Sequence, residues 1–204
     1  MLQQTQVARV ISRYLEWVER WPTAESLAAA PRGDVIRAWQ GLGYNRRAVS
    51  LHRAAQVVAA EGWPDDLTKL PGVGPYTAAA IRRFAHREPV LPVDTNVRRV
   101  LERTRGDFGH ESAEALMDLG ATVCVARVPR CDVCPLAAQC PSRGRRYEPL
   151  RKQMPFVGSF RQRRAETLRL ISAGRTRCLD DAAVSALQRD GLVEVEDGVA
   201  RLPA

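Results

Sequence analysis

Four cysteines in one short stretch limit what this chain can fold into more than any other feature. Cys124, Cys131, Cys134 and Cys140 have the spacing C-x6-C-x2-C-x5-C, and four thiolates from one loop can hold a metal centre without help from the rest of the fold. Zinc ribbons usually pair two C-x2-C knuckles across a longer gap, whereas this stretch has one knuckle with a single cysteine on each side. The spacing therefore favours a [4Fe-4S] cluster over a four-cysteine zinc site, which stays the alternative.

A disulfide pair is the least favoured interpretation of these cysteines. We find no signal peptide before them, and disulfides are rare in proteins that are not exported. The fifth cysteine, Cys178, is left over from the cluster, and we expect it to be a small buried hydrophobic residue.

The charge of the chain indicates a polyanionic partner. The chain has 204 residues, of which 45% are hydrophobic, and its formal net charge is +8. This length allows one or two small domains. An excess of arginine most often accompanies nucleic-acid binding, and a merely basic surface is the alternative. Because no apolar run approaches membrane-spanning length, we expect a cytoplasmic protein without a membrane partner.

Hydrophobic periodicity predicts helices through most of the first 120 residues. The first has a buried stripe of apolar residues that recur at intervals of three and four: Val7, Val10, Ile11, Tyr14, Leu15 and Val18. Pro22 ends this helix, and Thr23 can cap the next one. Asn45 is expected to cap a helix that reaches Ala60 and faces inward at Ala48, Leu51, Ala55 and Val58. Further helices are predicted at 34–39, 77–86 and 96–103, and 112–123 leads into the cysteine loop.

The C-terminal part of the chain has a different pattern. Residues 141–155 are rich in Arg and Pro and are typical of a linker. Helices are predicted at 161–173 and 180–189, and two alternating runs then flank Asp197-Gly198, a strong hairpin signal. Two helices followed by a hairpin predict a small winged-helix-like module.

The turn Leu70-Pro71-Gly72-Val73-Gly74 can approach a phosphate closely. Its glycines remove side-chain bulk, and N–H groups at the start of the next helix attract an anion. Gly72 and Gly74 alone are weak signals, because an ordinary helix–helix turn is the alternative. The full run L-P-G-V-G-P-Y-T is more specific and resembles the helix-hairpin-helix element of a DNA glycosylase superfamily.

About twenty residues later comes the segment V-D-T-N-V-R-R-V at 93–100, whose second residue is Asp94. An Asp at a helix start is usually only an N-cap. At this distance from a helix-hairpin-helix, it resembles the catalytic Asp of the superfamily. Glycosidic cleavage builds positive, oxocarbenium-like charge on the sugar, and a fixed carboxylate stabilises that charge.

Two further motifs resemble adenine DNA glycosylases of the MutY type. They are M-L-Q-Q-T-Q-V at 1–7 and W-Q-G-L-G-Y at 39–44, and the resemblance extends over roughly residues 1–141. It implies a mainly α helix-hairpin-helix glycosylase with a [4Fe-4S] loop, which removes adenine mispaired with 8-oxoguanine or guanine from double-stranded DNA as a nucleoid-associated monomer. The expected domains are the glycosylase domain (1–105), the cluster domain (106–148) and the winged-helix-like module (149–204).

The resemblance also implies roles for individual residues in the DNA interface. Gln4 and Thr5 would lie against the damaged base opposite the adenine. Leu42 and Tyr44 would fill the stack around it, with Tyr44 as a wedge that offsets part of the cost of base flipping, and core packing is the alternative. Arg127 and Arg130 would contact backbone phosphates.

Two residues are expected to complete the catalytic group around Asp94. Asn96 would help to orient the carboxylate. Tyr76 stands where bifunctional relatives such as endonuclease III have a Lys that forms a Schiff base. Because a phenol cannot form an imine, the chain should release the base without a Lys-driven strand cut.

The chain departs from the family pattern at three places. The family's catalytic Glu lies two residues before the Met of M-L-Q-Q-T, which is residue 1 here, and a reading frame that begins upstream is the simplest explanation. Only 30 positions separate Asp94 from Cys124, where relatives carry a longer helical segment. The 64 residues after Cys140 are too few for the Nudix-like domain that many relatives use to recognise 8-oxoguanine.

Two alternative functions stay open at this point. A mismatch thymine or uracil glycosylase of the same superfamily would share Tyr76, although the Q-Q-T motif argues against it. A catalytically degenerate DNA-binding protein would explain the missing Glu and the shortened segment.

Overall fold

The chain is mainly helical, as the sequence predicts. The computed structural model describes residues 1–2, 5–148 and 155–204. The helices are α1 (Val7–Arg20), α2 (Ala24–Ala28), α3 (Arg32–Trp39), α4 (Arg46–Glu61), α5 (Pro75–Phe84), α6 (Thr95–Thr104), α7 (Ala113–Asp118), α8 (Phe160–Ser172) and α9 (Asp181–Arg189). The strands are β1 (Glu194–Glu196) and β2 (Val199–Arg201), and shorter helical turns are at Leu67–Lys69, His110–Ser112 and Leu119–Val123. None of the described helices has the length and apolar character needed to cross a membrane.

The described residues form two compact units. The first contains residues 1–72 and 155–204, and the second contains residues 73–148. The three domains predicted from the sequence were placed by the positions of motifs, whereas these units are defined by compactness. The predicted domain boundaries therefore stay a prediction.

Aromatic rings organise the core of the first unit. Trp17 meets Trp21 and Trp39 edge to face, with ring centroids 4.8 Å and 5.6 Å apart. All three rings are buried together with Val10 of α1 and Leu42. Aromatic pairs in this geometry stabilise a core beyond the area that they bury.

The stripe of apolar residues predicted to be buried along α1 is largely exposed. Val10 is 5% exposed, but five other members of the stripe are between 36% and 62% exposed: Val7, Ile11, Tyr14, Leu15 and Val18. The prediction was therefore wrong for these five. Trp17 lies on the same side of α1 as Val10, and Trp21 follows the helix on that side. The large rings of these two tryptophans bury more area than the aliphatic residues, so this side of the helix faces the core.

The helix starts in the first unit follow local sequence signals with one exception. Thr23 caps α2 as predicted, because its Oγ1 accepts from Ser26 N at 3.2 Å and Ser26 Oγ accepts from Thr23 N. Asn45 precedes α4 but forms no side-chain cap. Its own backbone is already helical, whereas a capping residue needs an extended backbone.

Helix α4 is buried on two sides, which the sequence does not predict. Ala48 and Ala55 pack in the tryptophan core, whereas Val49 packs against the C-terminal residues. Leu51, predicted to face inward, is 37% exposed. Two different partners cover α4, and neither of them covers the side of the helix that carries Leu51.

The C-terminal residues share a hydrophobic core with α3 and α4. Ile36 and Val49 pack with side chains of α8, α9 and the segment that follows them: Leu168, Ile171, Leu187, Leu192 and Val193. Arg32 of α3 forms an ion pair with Glu194 at 2.7 Å. Gly33 lies so close to Pro203 that a Cβ atom would be 2.6 Å from its carbonyl oxygen. This part of the chain is therefore built into the first unit.

The predicted hairpin forms at the Asp-Gly turn. Strands β1 and β2 pair antiparallel with Glu194 opposite Arg201. Asp197 (φ 51°) and Gly198 (φ 72°) both have left-handed backbones, as two-residue hairpin turns require. Cys178 contradicts its prediction, because it is exposed with a φ of 54°. It lies in the connection between α8 and α9, outside the buried faces of both helices.

Helix α6 forms the core of the second unit. Val97 and Val100 are fully buried and pack against Leu116 of α7. The chain then passes through the turn Leu119–Val123 into the cysteine loop. The helix thus joins the segment that holds Asp94 to the segment that holds the cysteines.

Candidate active site and cysteine pocket

Asp94 is held at the N-terminus of α6. Its Oδ1 accepts from Val97 N at 2.7 Å, which makes Asp94 the N-cap of the helix. Its Oδ2 accepts from Asn96 Nδ2 at 3.3 Å. The half-buried carboxylate is therefore fixed by two donors. Asp94 is an N-cap, and this role is compatible with a catalytic one.

Tyr76 lies in the first turn of α5 and interacts with Asp94. Its partial burial, together with the negative charge of Asp94, raises the pKa of Tyr76 above its usual value. Both effects disfavour the phenolate. Tyr76 is therefore a neutral hydroxyl beside the carboxylate at physiological pH.

Arg99 connects Asn96 to the start of the cysteine loop. Its Nη2 donates to Asn96 Oδ1 at 2.8 Å and to Gly120 O at 2.6 Å, and its Nε donates to Cys124 O at 2.7 Å. Gly120 lies against Asn96, where a Cβ atom would be 2.8 Å from the Asn96 Cβ. No motif in the sequence gives Arg99 a role, although its spacing from Asn96 puts both on one face of α6.

Arg103 follows one turn later, and no motif in the sequence gives it a role either. It is only 8% exposed, and it donates to Val125 O at 2.8 Å and Ala126 O at 2.7 Å. Its guanidinium carbon lies 3.7 Å from the ring centroid of Tyr147. Carbonyl oxygens and an aromatic face thus compensate the buried charge.

The four predicted metal ligands line one pocket. Cys124, Cys131, Cys134 and Cys140 face it, and each has a free thiol. Gly144 N donates to Cys131 Sγ at 3.3 Å, and Arg103 Nη1 lies 3.6 Å from Cys124 Sγ. Among the described residues, no group of three or more His, Cys, Asp or Glu side chains that could hold a metal ion is found.

Arg127 and Arg130 lie in the loop between the first two cysteines and are exposed. The backbone that carries them is fixed, because Arg130 N donates to Val123 O and Arg127 O accepts from Tyr147 N, both at 2.9 Å. The loop therefore presents two cations to solvent from an ordered backbone.

In the first unit, the turn between α3 and α4 presents Tyr44. The Tyr44 side chain is 57% exposed, whereas Leu42 is 3% exposed and packs in the tryptophan core. Thr5 Oγ1 donates to Leu42 O at 3.0 Å, so these two predicted residues are in contact. Gln4 lies outside the described residues.

The two glycines of the predicted phosphate-binding turn have different surroundings. Gly72 has a φ of +79°, and a Cβ atom there would be 2.6 Å from Ser50 Cβ, so another residue would not fit. Gly74 is the N-cap position of α5, and among the described residues no atom other than those of its chain neighbours lies within 4 Å of where its Cβ would be. The start of α5 is therefore open at this glycine.

Comparison with protein families supports the motifs. The family described as "HhH-GPD superfamily base excision DNA repair protein" matches residues 1–124. The adenine DNA glycosylase of Mycobacterium tuberculosis is 42% identical over 236 residues, which cover 95% of this chain and 76% of that protein. The adenine DNA glycosylase of Mycolicibacterium smegmatis is 39% identical over 241 residues, which cover 95% of this chain and 81% of that protein. The human adenine DNA glycosylase is 38% identical over 71% of this chain and 32% of its own length.

Solved structures share the helical fold. A thermostable thymine-DNA glycosylase superposes with a TM-score of 0.60 at 26% identity and covers 69% of this chain and 79% of its own. A trapped endonuclease III–DNA covalent intermediate superposes with a TM-score of 0.61 over the same shares at 24% identity. The alignment with the M. tuberculosis protein is longer than this chain's 204 residues, so that relative has internal residues that this chain lacks.

Proposed function

The chain belongs to the HhH-GPD superfamily of base excision DNA repair proteins, and from this premise we propose that it removes adenine from double-stranded DNA by hydrolysing the N-glycosidic bond. The observation that carries the proposal is the carboxylate of Asp94, which Val97 N and Asn96 hold in place. The named adenine DNA glycosylases that match 95% of the chain support the choice of base.

Asp94 acts by electrostatic stabilisation in this mechanism. As the glycosidic bond breaks, the sugar acquires positive charge, and a carboxylate that is already oriented needs no reorganisation to stabilise it. The Asn96 side chain and the Val97 N–H perform the orientation. Tyr76 supplies a neutral hydroxyl and no amine, so base release proceeds without an imine to the protein.

The opposite base in this proposal is 8-oxoguanine or guanine. Support comes from the M-L-Q-Q-T and G-L-G-Y motifs, which place Thr5 against Leu42 in the structure and leave Tyr44 exposed. Tyr44 is the wedge that enters the stack. Arg127, Arg130 and the open N-terminus of α5 at Gly74 bind the phosphates.

The cofactor in this proposal is a [4Fe-4S] cluster held by Cys124, Cys131, Cys134 and Cys140. The thiols line one pocket, and Gly144 N is directed at the sulfur of Cys131, as expected for a loop that holds a cluster through four thiolates. The cluster fixes the loop that carries Arg127 and Arg130. The C-terminal residues from α8 to β2 are the winged-helix-like module in this proposal. The protein acts as a monomer in the cytoplasm.

A mismatch thymine glycosylase is the second candidate. The observation that favours it is the similarity of the fold to a thermostable thymine-DNA glycosylase. The two candidates differ in the duplex they act on. The first releases adenine from a duplex with an A:8-oxoguanine pair, and the second releases thymine from a duplex with a T:G pair.

The decisive experiment is base release under single-turnover conditions with excess protein. Duplexes contain one A:8-oxoguanine, A:G, T:G or U:G pair, and the proteins are this chain and a version extended upstream in its reading frame. Release of adenine alone by either protein supports the proposal, and release of thymine or uracil favours the second candidate. Tight binding without release by both proteins would contradict catalysis and support a DNA-binding role.

A further inference from the structure

The turn that presents Tyr44 has an unusual backbone. Tyr44 has a φ of 48°, and Gly41 and Gly43 have φ values of 88° and 72°. Residues other than glycine rarely adopt this conformation, so neighbouring groups must hold Tyr44 in it. The exposed ring of Tyr44 depends on those groups for its direction.

Arg47, in the first turn of α4, lies between two aromatic rings. Its guanidinium carbon is 5.1 Å from the ring centroid of Tyr44 and 5.6 Å from that of Trp39. Trp39 is 2% exposed and belongs to the core. The cation therefore links an exposed ring to a buried one through two cation–π contacts.

The guanidinium also reaches the groups that close the turn. Arg47 Nη2 lies 3.4 Å from Thr5 Oγ1 and 3.5 Å from Gly43 O. Gly43 O also accepts from Trp39 Nε1 at 3.0 Å. Partial desolvation by these neighbours lowers the pKa of Arg47 below its usual value, as expected for a cation set into the turn.

We infer that Arg47 is a positioning residue for the wedge: it holds the turn so that the Tyr44 ring is aligned for insertion into the DNA stack before the protein meets DNA. This inference rests on the proposed function, because Tyr44 is a wedge only if the protein flips a base. Alignment in the free protein lowers the entropy that is lost on binding. A Lys would not serve, because an ammonium lacks the flat guanidinium that stacks between two rings.

The test compares Arg47→Met and Arg47→Lys with the neighbouring Arg46→Met. Arg46 is the matched control, because its side chain is 75% exposed and its ion pair with Asp190 is long, at 3.5 Å. Each Met variant removes one positive charge from the start of α4, so the general loss of attraction to DNA is the same. Flipping is measured by the fluorescence of 2-aminopurine placed opposite 8-oxoguanine, which requires no base release.

Arg47→Met should reduce the flipped fraction and weaken mismatch binding by about two- to fivefold beyond the control, the range of one partly exposed cation–π contact. Arg47→Lys should resemble Arg47→Met. In a Tyr44→Ala background, Arg47→Met should have no further effect on flipping. Equal losses in the Arg46 and Arg47 variants, or full flipping with Arg47→Lys, would overturn the inference.

Amide hydrogen exchange of a peptide that covers the turn separates this inference from the proposed function. Arg47→Met should speed exchange there in the protein without DNA, and Arg46→Met should not. Unchanged exchange overturns the inference whatever the protein does to DNA. A wild-type protein that flips no base while its exchange depends on Arg47 contradicts the proposed function and not the role of Arg47 in the turn.

Discussion

Replacing Asp94 by Asn should separate its proposed catalytic role from its structural one. Oδ1 of Asp94 caps α6 through Val97 N at 2.7 Å, and an Asn side chain offers a carbonyl oxygen in the same position. Asn and Asp are nearly equal as N-caps. The substitution removes a negative charge from a helix N-terminus, which costs about 0.3–1 kcal/mol at an exposed site.

The expected effect on catalysis is much larger than that on stability. Loss of one preorganised group that stabilises transition-state charge lowers rates by about 10²–10³-fold. Adenine release by Asp94→Asn should therefore fall by at least this range, while affinity for a mismatch duplex stays within a fewfold of wild type. The assay is single-turnover release with the active form of the protein, paired with a binding titration.

Asp94→Ala is the matched variant, because it removes both the charge and the cap. Loss of an N-cap costs about 1 kcal/mol, and for a chain of this size that lowers the melting temperature by about 2–4 °C. Ala should therefore be less stable than Asn and equally inactive. An Asn variant that releases adenine at the wild-type rate would refute the electrostatic role, and equal stability of the two variants would refute the cap.

Three further outcomes are expected. The folded pKa of Tyr76 is raised, so the stability that its neutral phenol contributes is complete below about pH 10 and is lost as pH rises through the folded pKa. Tyr76→Phe should therefore reduce the fall in the free energy of unfolding at alkaline pH, measured by urea unfolding. An unchanged dependence of that free energy on pH would contradict this. Cys131→Ser should lose iron, measured by metal analysis, together with DNA affinity; normal affinity without iron contradicts the structural role of the cluster. Leu168→Ala should destabilise the first unit by about 2–5 kcal/mol, observed by tryptophan fluorescence; unchanged unfolding would mean that the C-terminal residues fold separately.

The fluorescence readout works because of where the tryptophans lie. All four tryptophans of the chain precede residue 73, so they report on the first unit and not on the second. Leu168 is 1% exposed and packs against Ile36 and Val49. If α8 and α9 were an independent module, this substitution would leave the tryptophan signal unchanged.

Local signals in the sequence predicted most of the helix positions. Pro22, the capping Thr23 and the Asp197-Gly198 turn act through their immediate neighbours, so their effects are visible without tertiary structure. The family was recognised from short motifs for the same reason. The comparisons confirm the superfamily, whereas the cluster and the catalytic roles stay proposals.

Burial was harder to predict, because it depends on which elements meet. The spacing of Val7, Val10, Ile11 and Leu15 is that of a buried face, but Val10 is the one of these four that is buried, and Trp17 is buried with it. Leu51 is exposed because α4 has two partners, one of which lies more than a hundred residues further along the chain. Periodicity indicates that a helix has an apolar face, but it does not identify the partner that covers it.

The arginines that support the candidate site were missed for a related reason. Arg99 and Arg103 look like surface charges in a basic chain, and only the fold shows that carbonyl groups of the loop surround them. Together they connect the ten-residue helix α6, which Asp94 caps, to the backbone around Cys124. Arg99 spans the two directly, since it donates to Asn96, which holds Asp94, and to the carbonyl of Cys124. A shift of the Cys124 backbone would withdraw that acceptor, and the orientation of the carboxylate would change even though no cysteine touches it.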